Sequence, residues 1–235
     1  MRVWGNAMPA LPFHIDLSKL PSPGHEDSLF TIDSWNGYPH ELRGLLEFIG
    51  SAGITGVVSL SGDHHLHAAG LLRAHRDDPG ATAVCAEFVT TCISAESMYE
   101  DAFVSGRNND EFAPLVYRLE NGEEIPVWNL TLQDGVAAAL AYQVHGAQAL
   151  PRTRGTDIRY VDSTARGYTI ARFGAAEVKV EMVAMGDVTV PFEQAPAAAY
   201  RAFFRLPLWE AGEEPRLSGP DFTGPPAFPF GADEV

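Results

Sequence analysis

The sequence predicts an α/β protein built on a mixed sheet whose later strands run antiparallel. Three observations predict it: a helical apolar repeat that leads directly into a β-branched run at residues 39–60, a second apolar run at 83–93, and two-residue alternation across 158–182. A helix feeding a strand that is apolar on both faces is the unit of a helix-covered sheet, whereas strict alternation marks strands with one wet face.

In chain order, residues 1–32 carry Pro9, Pro12, Pro21 and Pro23 between short apolar pieces and read as extended loop. From Pro39 onward, Leu42, Leu45, Leu46 and Ile49 recur at helical spacing, with proline suited to the first turn and Gly53 to the stop. Residues 54–60 then form a buried strand closed by Ser61-Gly62-Asp63, and 83–93 supply its neighbour. The polar stretch 95–114 reads as a surface excursion. Asn121-Gly122 signals a hairpin, because both residues tolerate positive φ. Asp134 is expected to cap an alanine-rich helix that runs through His145 and stops at Gly146. Residues 158–161, 168–170 and 178–182 read as antiparallel strands. Residues 207–235 hold six prolines and four glycines without any period, which predicts a disordered or surface-draped acidic tail after a main domain at 1–206.

Composition narrows the function classes. Apolar residues make up 46% of the 235, enough for a sizeable core. Sixteen lysines and arginines against 31 acids leave a net charge of −15, the wrong sign for a protein that tracks nucleic-acid phosphates. No apolar run approaches the roughly 18 residues of a membrane span. The amino terminus, Met-Arg-Val-Trp-Gly-Asn, lacks the features of a secretory signal, so none is expected here. Two cysteines, Cys85 and Cys92, are too few for a disulfide framework or a four-thiolate zinc site.

The most informative segment is Ser61-Gly62-Asp63-His64-His65, at the carboxyl end of the best buried strand, where ligands bind in open α/β sheets. A carboxylate beside imidazoles suits a divalent or trivalent cation; the alternative is that Asp63 caps a helix and the histidines are exposed. His64, His65, His67 and His75 together could also form a zinc site, although their spacing matches no familiar zinc motif. Asp33-Ser34-Trp35-Asn36-Gly37-Tyr38-Pro39 is either a capped helix entrance or an acidic, aromatic lip over a pocket. Glu87, inside an apolar run, either faces solvent or points into the site.

Five motifs in order resemble those of the PhoD-type alkaline phosphatases: Trp4-Gly5-Asn6; residues 33–39; Val57-Val58-Ser59-Leu60-Ser61-Gly62-Asp63-His64-His65; Glu87-Phe88-Val89-Thr90-Thr91; and Tyr160-Val161-Asp162-Ser163-Thr164-Ala165-Arg166-Gly167-Tyr168. They span roughly residues 3 to 183. The resemblance implies part of a four-layer α/β/β/α metallophosphoesterase sandwich that hydrolyses phosphate mono- or diesters with iron (Fe3+) and calcium (Ca2+). It places Asp63 and His65 on a Gly-Asp-x-His segment that contributes metal ligands. Asp33 and Trp35 fall near the mouth of the active site, and Asn6 on the Trp-Gly-Asn asparagine. His67 and Arg166 become substrate-orienting candidates, with Arg166 able to pair with an acid or a phosphate.

The resemblance also implies departures. The family's Asp-x-x-Tyr segment, a cysteine and an early asparagine, all metal ligands, have no counterpart in this chain. His64 replaces an apolar residue, and Gly155-Thr156-Asp157 stands where many members have Asn-Pro-His. The expectation is therefore a phosphohydrolase-type chain with an incomplete metal centre, whose missing half another polypeptide could supply. The alternative is a catalytically silent half that serves as a binding or partner module. Relatives are commonly exported.

Overall fold

The computed structural model of the chain describes residues 1–29, 33–75, 78, 80–150, 157–191, 193–194 and 196–231. Its elements are β1 (Arg2–Gly5), β2 (His14–Asp16), β3 (Asp27–Leu29), α1 (Pro39–Ser51), β4 (Val57–Ser61), β5 (His67–Arg73), β6 (Ala83–Val89), α2 (Met98–Gly106), α3 (Ala113–Val116), β7 (Arg118–Glu120), β8 (Glu123–Ile125), α4 (Trp128–Asp134), α5 (Val136–His145), β9 (Ile158–Asp162), β10 (Gly167–Phe173), β11 (Glu177–Met185), β12 (Ala198–Pro207) and β13 (Ser218–Thr223).

Two sheets organise the molecule. The first has the order β1-β4-β6-β5-β9, with β1, β4 and β6 parallel and β5 antiparallel to both of its neighbours. The second is an antiparallel meander, β10-β11-β12-β13. The expected mixed α/β architecture with late antiparallel strands is therefore present.

One apolar core, including Phe13, Leu46, Ile49, Leu66, Leu115 and Leu130, lies between the first sheet and the helices. The other lies between the sheets: Val58, Phe88 and Tyr160 of the first meet Val180, Met182 and Phe204 of the second. Phe88 and Tyr160 approach Phe204 with ring centroids 5.8 and 5.5 Å apart. Each such fully buried large side chain contributes about 1.5–3 kcal/mol of transfer free energy. Among the described residues no helix is long and apolar enough to cross a membrane.

Several elements match the sequence reading and several do not. The helix at Pro39 and the buried strand at 57–61 form as expected, and Asn121 and Gly122 turn the β7–β8 hairpin at φ of 52° and 86°. The expected loop at 1–32 contains β1, which pairs in parallel with β4. The expected excursion at 95–114 contains α2, closed by a capping box in which Ser97 and Glu100 satisfy each other's backbone donors. Asp134 ends α4 instead of capping α5, whose amino-terminal cap is Gly135.

Part of the segment expected to be disordered or draped on the surface pairs with the second sheet. Residues 218–223 form the edge strand β13, and Trp209 is buried in the intersheet core, against which Leu217, Phe222 and Phe230 also pack. Average composition hid these widely spaced apolar anchors, and an edge strand tolerates Pro220 because it needs no outward backbone donor.

Candidate functional site

The strand β4 delivers its carboxyl end to a turn that begins at Gly62 and ends where β5 starts at His67. Within it, Asp63 and His65 adopt left-handed backbone conformations, φ 70° and 51°. Asn121 of the hairpin is the other non-glycine residue at positive φ among the described residues. Such conformations cost on the order of 1–3 kcal/mol each and persist where surrounding structure imposes them. No helix follows Asp63, so its capping alternative falls away.

The turn points into a cavity of about 480 Å³ lined by Asp63, His64 and His65 on one side and by α2, α3 and Trp128 on the other. Asp63 is exposed. The His65 ring is oriented by the loop ahead of α2: its Nδ1 lies 2.6 Å from the Glu96 carbonyl, which can only accept, so Nδ1 donates and Nε2 is the nitrogen that the neutral ring leaves to ligate. The backbone reinforces this contact, because Met98 N–H donates to the His65 carbonyl at 3.1 Å.

His64 is nearly buried against Phe13, and burial holds its imidazole below the ordinary histidine range, against the Asp63 and Asp33 carboxylates that favour its charge. The Asp33 carbonyl accepts from the ring, so His64 bridges the turn to the segment before α1. There, Ser34 Oγ caps the short turn at Trp35–Gly37 by accepting from Asn36 N–H at 3.2 Å. The helix-entrance alternative for this motif is thus realised through Ser34. The lip is present too: Trp35 and Tyr38 join Asn6, Met8 and Glu41 around a second hollow of about 430 Å³, and Trp35 packs edge-on against Trp4 at 5.5 Å. The Nδ2 of Asn6 is buried there with no hydrogen-bond partner among the described residues.

Two expected site residues lie elsewhere. His67 is fully buried between the sheets, where Nε2 donates to Val183 O and Nδ1 accepts from Thr91 N–H, both at 3.3 Å. Burial pushes its imidazole down to about 4. It clamps β5 to β11 and lines neither hollow. Arg166 pairs with an acid, Glu100, whose carboxyl it holds below its ordinary range, and its Nε donates to Ala95 O at 2.8 Å. Both contacts secure the loop whose Glu96 carbonyl orients His65. The turn that presents Arg166 is itself fixed by Asp162, which accepts from Thr164 N–H at 2.9 Å and from its hydroxyl at 2.6 Å.

Glu87 neither faces solvent nor enters the site. Its carboxylate is fully buried and accepts four hydrogen bonds: Ser59 and Ser61 hydroxyls at 2.9 Å each, and the Ala10 and Leu11 N–H groups at 2.8 and 2.6 Å. Burial pushes the carboxyl up, opposed by those four donors. It is a rivet between the amino-terminal segment and the central strands.

The four clustered histidines are scattered rather than convergent, with His75 turned to Glu47 on α1 at 3.2 Å. A strand of seven residues separates His67 from that end, about 20 Å of chain. Among the described residues no group of three or more histidine, cysteine, aspartate or glutamate side chains is placed to hold a metal. Cys85 is buried with its thiol pushed up by desolvation, and the half-buried Cys92 donates toward Ala95 O at 3.3 Å. Gly155 and Thr156 lie outside the described residues; Asp157 accepts from Arg73 Nε at 2.6 Å.

Sequence reasoning missed three contributors: the Glu96 carbonyl, the Arg166–Glu100 brace, and the apolar wall of Met98, Phe112, Val116 and Trp128. The Ser97-x-x-Glu100 capping box was the available signal for the helix that carries part of that wall.

Comparison with known proteins bears on the family and the fold. A family described as PhoD-like phosphatase matches residues 2–182. Alkaline phosphatase D of Bacillus subtilis (strain 168) is 34% identical over 67 residues, 28% of this chain and 12% of that protein. A solved structure of PhoD superposes with a TM-score of 0.53 at 18% identity, covering 97% of this chain and 32% of the other, a likeness of fold. The chain thus spans about a third of the solved relative and far less of the curated one.

Proposed function

The chain belongs to the PhoD-like phosphatase family, and from that premise we propose that it forms part of a metal-dependent phosphoester hydrolase of the alkaline phosphatase type. The observation that carries the reading is the left-handed pair, Asp63 and His65, turned into one cavity at the carboxyl end of β4. Nothing in the packing of a simple connection requires two non-glycine residues at positive φ within three positions.

The donor chemistry fits a metal in part. Asp63 offers an exposed carboxylate and His65 the Nε2 left free to ligate in the neutral tautomer that the Glu96 carbonyl selects. No third donor stands with them among the described residues. Within this proposal Asp63 and His65 are two ligands of a centre, with Ca2+ and Fe3+ as its cations by family resemblance, and another polypeptide segment supplies the other ligands. When bound, such cations would supply charge stabilisation of the phosphoryl group and a nucleophile at neutral pH. The chain's own contribution is to hold His65 in the ligating tautomer through Glu96 and to brace that loop with Arg166. Trp35 and Asn6 line the hollow proposed as the substrate-facing lip, and the exposed Asp33 precedes them in the segment before α1.

The same segment would complete the four-layer sandwich. Arg172, Lys179 and Arg205 stand abreast on the outer face of the second sheet, in direct register across β10, β11 and β12. Glu181 pairs with Arg172 and Glu177 with Lys179 at 3.0 Å each, so this exposed face carries both signs of charge. The second reading is that the chain alone is silent and acts as a partner module.

Hydrolysis of p-nitrophenyl phosphate separates the two. With calcium, iron and a polypeptide carrying the Asp-x-x-Tyr portion of a PhoD-like protein, activity should appear and should be lost in Asp63→Ala and His65→Ala. Binding of that polypeptide without any hydrolysis would favour the partner module.

A further inference from the structure

We infer that the cavity beside Asp63 and His65 receives the organic part of the phosphoester, and that this part is uncharged, apolar and about the size of an aromatic ring. The inference rests on the phosphohydrolase reading and specifies its substrate class.

The lining carries the inference. Beyond the turn, the walls are Met98, Ala102, Phe112, Val116 and Trp128, with Ser105 and Asp101 at the α2 side. Among the described residues no lysine or arginine lines the cavity, and Arg166, in the turn between β9 and β10, is already committed to Glu100 and Ala95. A second phosphate, a carboxylate or a sulfate on the organic part would therefore meet Asp63 and Asp101 with no compensating cation. Sugars and polyols would bury hydroxyl groups against walls that offer few partners, at the cost of desolvating them. A ring or branched alkyl group instead exchanges water for contact with two aromatic residues and a methionine. The volume of about 480 Å³ is that of a small-ligand pocket rather than a packing defect. The polar pair lies at one side of it, so an ester whose apolar part fills the hollow would present its phosphoryl group to Asp63 and His65.

The test measures binding of 1-naphthol, 1-naphthyl phosphate and glycerol 2-phosphate to the 235-residue chain by calorimetry. It is repeated on Ala102→Trp and Ser105→Phe, with circular dichroism to verify that each variant folds. The inference expects saturable binding of 1-naphthol, its displacement by 1-naphthyl phosphate once calcium and iron are added to offset the Asp63 and Asp101 carboxylates, and no displacement by glycerol 2-phosphate. Filling the cavity should weaken naphthol binding by roughly tenfold or more, the loss expected when a buried ring is excluded. Ser105→Phe, at an exposed position, keeps the test valid if Ala102→Trp fails to fold. Absence of naphthol binding, or binding unchanged in a folded cavity-filling variant, overturns the inference. Failure of the phosphohydrolase reading looks different: naphthol binds and is displaced, yet the reconstituted protein hydrolyses no phosphoester.

Discussion

Two carboxylates on neighbouring strands have opposite surroundings. Glu87, on β6, is fully buried and accepts four hydrogen bonds that join the amino-terminal segment to β4 and β6. Asp63, two residues past β4, is exposed and sits on a left-handed backbone. The first is held by every group around it, and its removal should be felt by the whole fold. The second is held against its own backbone preference, and its removal should be felt only by the chemistry. Satisfaction marks the structural acid, and an exposed, left-handed position marks the one proposed for function.

The largest effect should come from the rivet. Glu87→Ala orphans two backbone donors and two hydroxyls, and chemical denaturation should show a loss of about 3–5 kcal/mol. A loss under about 1 kcal/mol would mean that the amino-terminal segment is not tied there.

His67 comes next, and its effect depends on pH. Its folded-state value of about 4 lies below the unfolded value near 6.5, so the folded chain binds fewer protons in that window. Stability from this group is complete above about pH 6.5 and drains away as pH falls toward about 4, by about 3 kcal/mol in all. Denaturation curves across that range should show the slope, and His67→Gln should flatten it.

Much of this frame can be read from sequence, and the reason is local. The helix at Pro39 and the strand at 57–61 announce themselves through apolar spacing, an opening proline and a continuous buried run. The hairpin does so through Asn121-Gly122. By contrast, β5, His-Ala-Ala-Gly-Leu-Leu-Arg, lacks the β-branched residues that mark strands, so its insertion between β6 and β9 is decided by tertiary pairing. The roles of Glu87, His67 and Arg166 depend on partners 76, 116 and 66 residues away, beyond any periodic signal. Asp63 and His65 were visible as residue types at a strand end. Their left-handed backbone was not, because no local residue pattern encodes it.

The brace between Arg166 and Glu100 sharpens the comparison from the functional side. Arg166→Ala should cost only about 1 kcal/mol, because Glu100 is 43% exposed and solvent screens the pair. Its distinct signature is in His65: nitrogen NMR should show the Nε2-protonated tautomer gaining population as the Glu96 loop loosens. A His65 tautomer unchanged by the substitution would reduce Arg166 to a surface ion pair.

The smallest stability effect should be at Asp63 itself. Asp63→Gly relieves the positive φ and should leave the melting temperature unchanged or raise stability by about 1 kcal/mol, while abolishing hydrolysis in the reconstituted protein. A marked loss of stability would place Asp63 in the same class as Glu87 and erase the contrast.

The most direct measurement is anomalous diffraction from crystals of the chain reconstituted with its complementary polypeptide in iron and calcium. The proposal predicts a metal peak about 2–2.5 Å from both an Asp63 carboxylate oxygen and His65 Nε2. Metal bound only by the added polypeptide, with both side chains left in solvent, would contradict it.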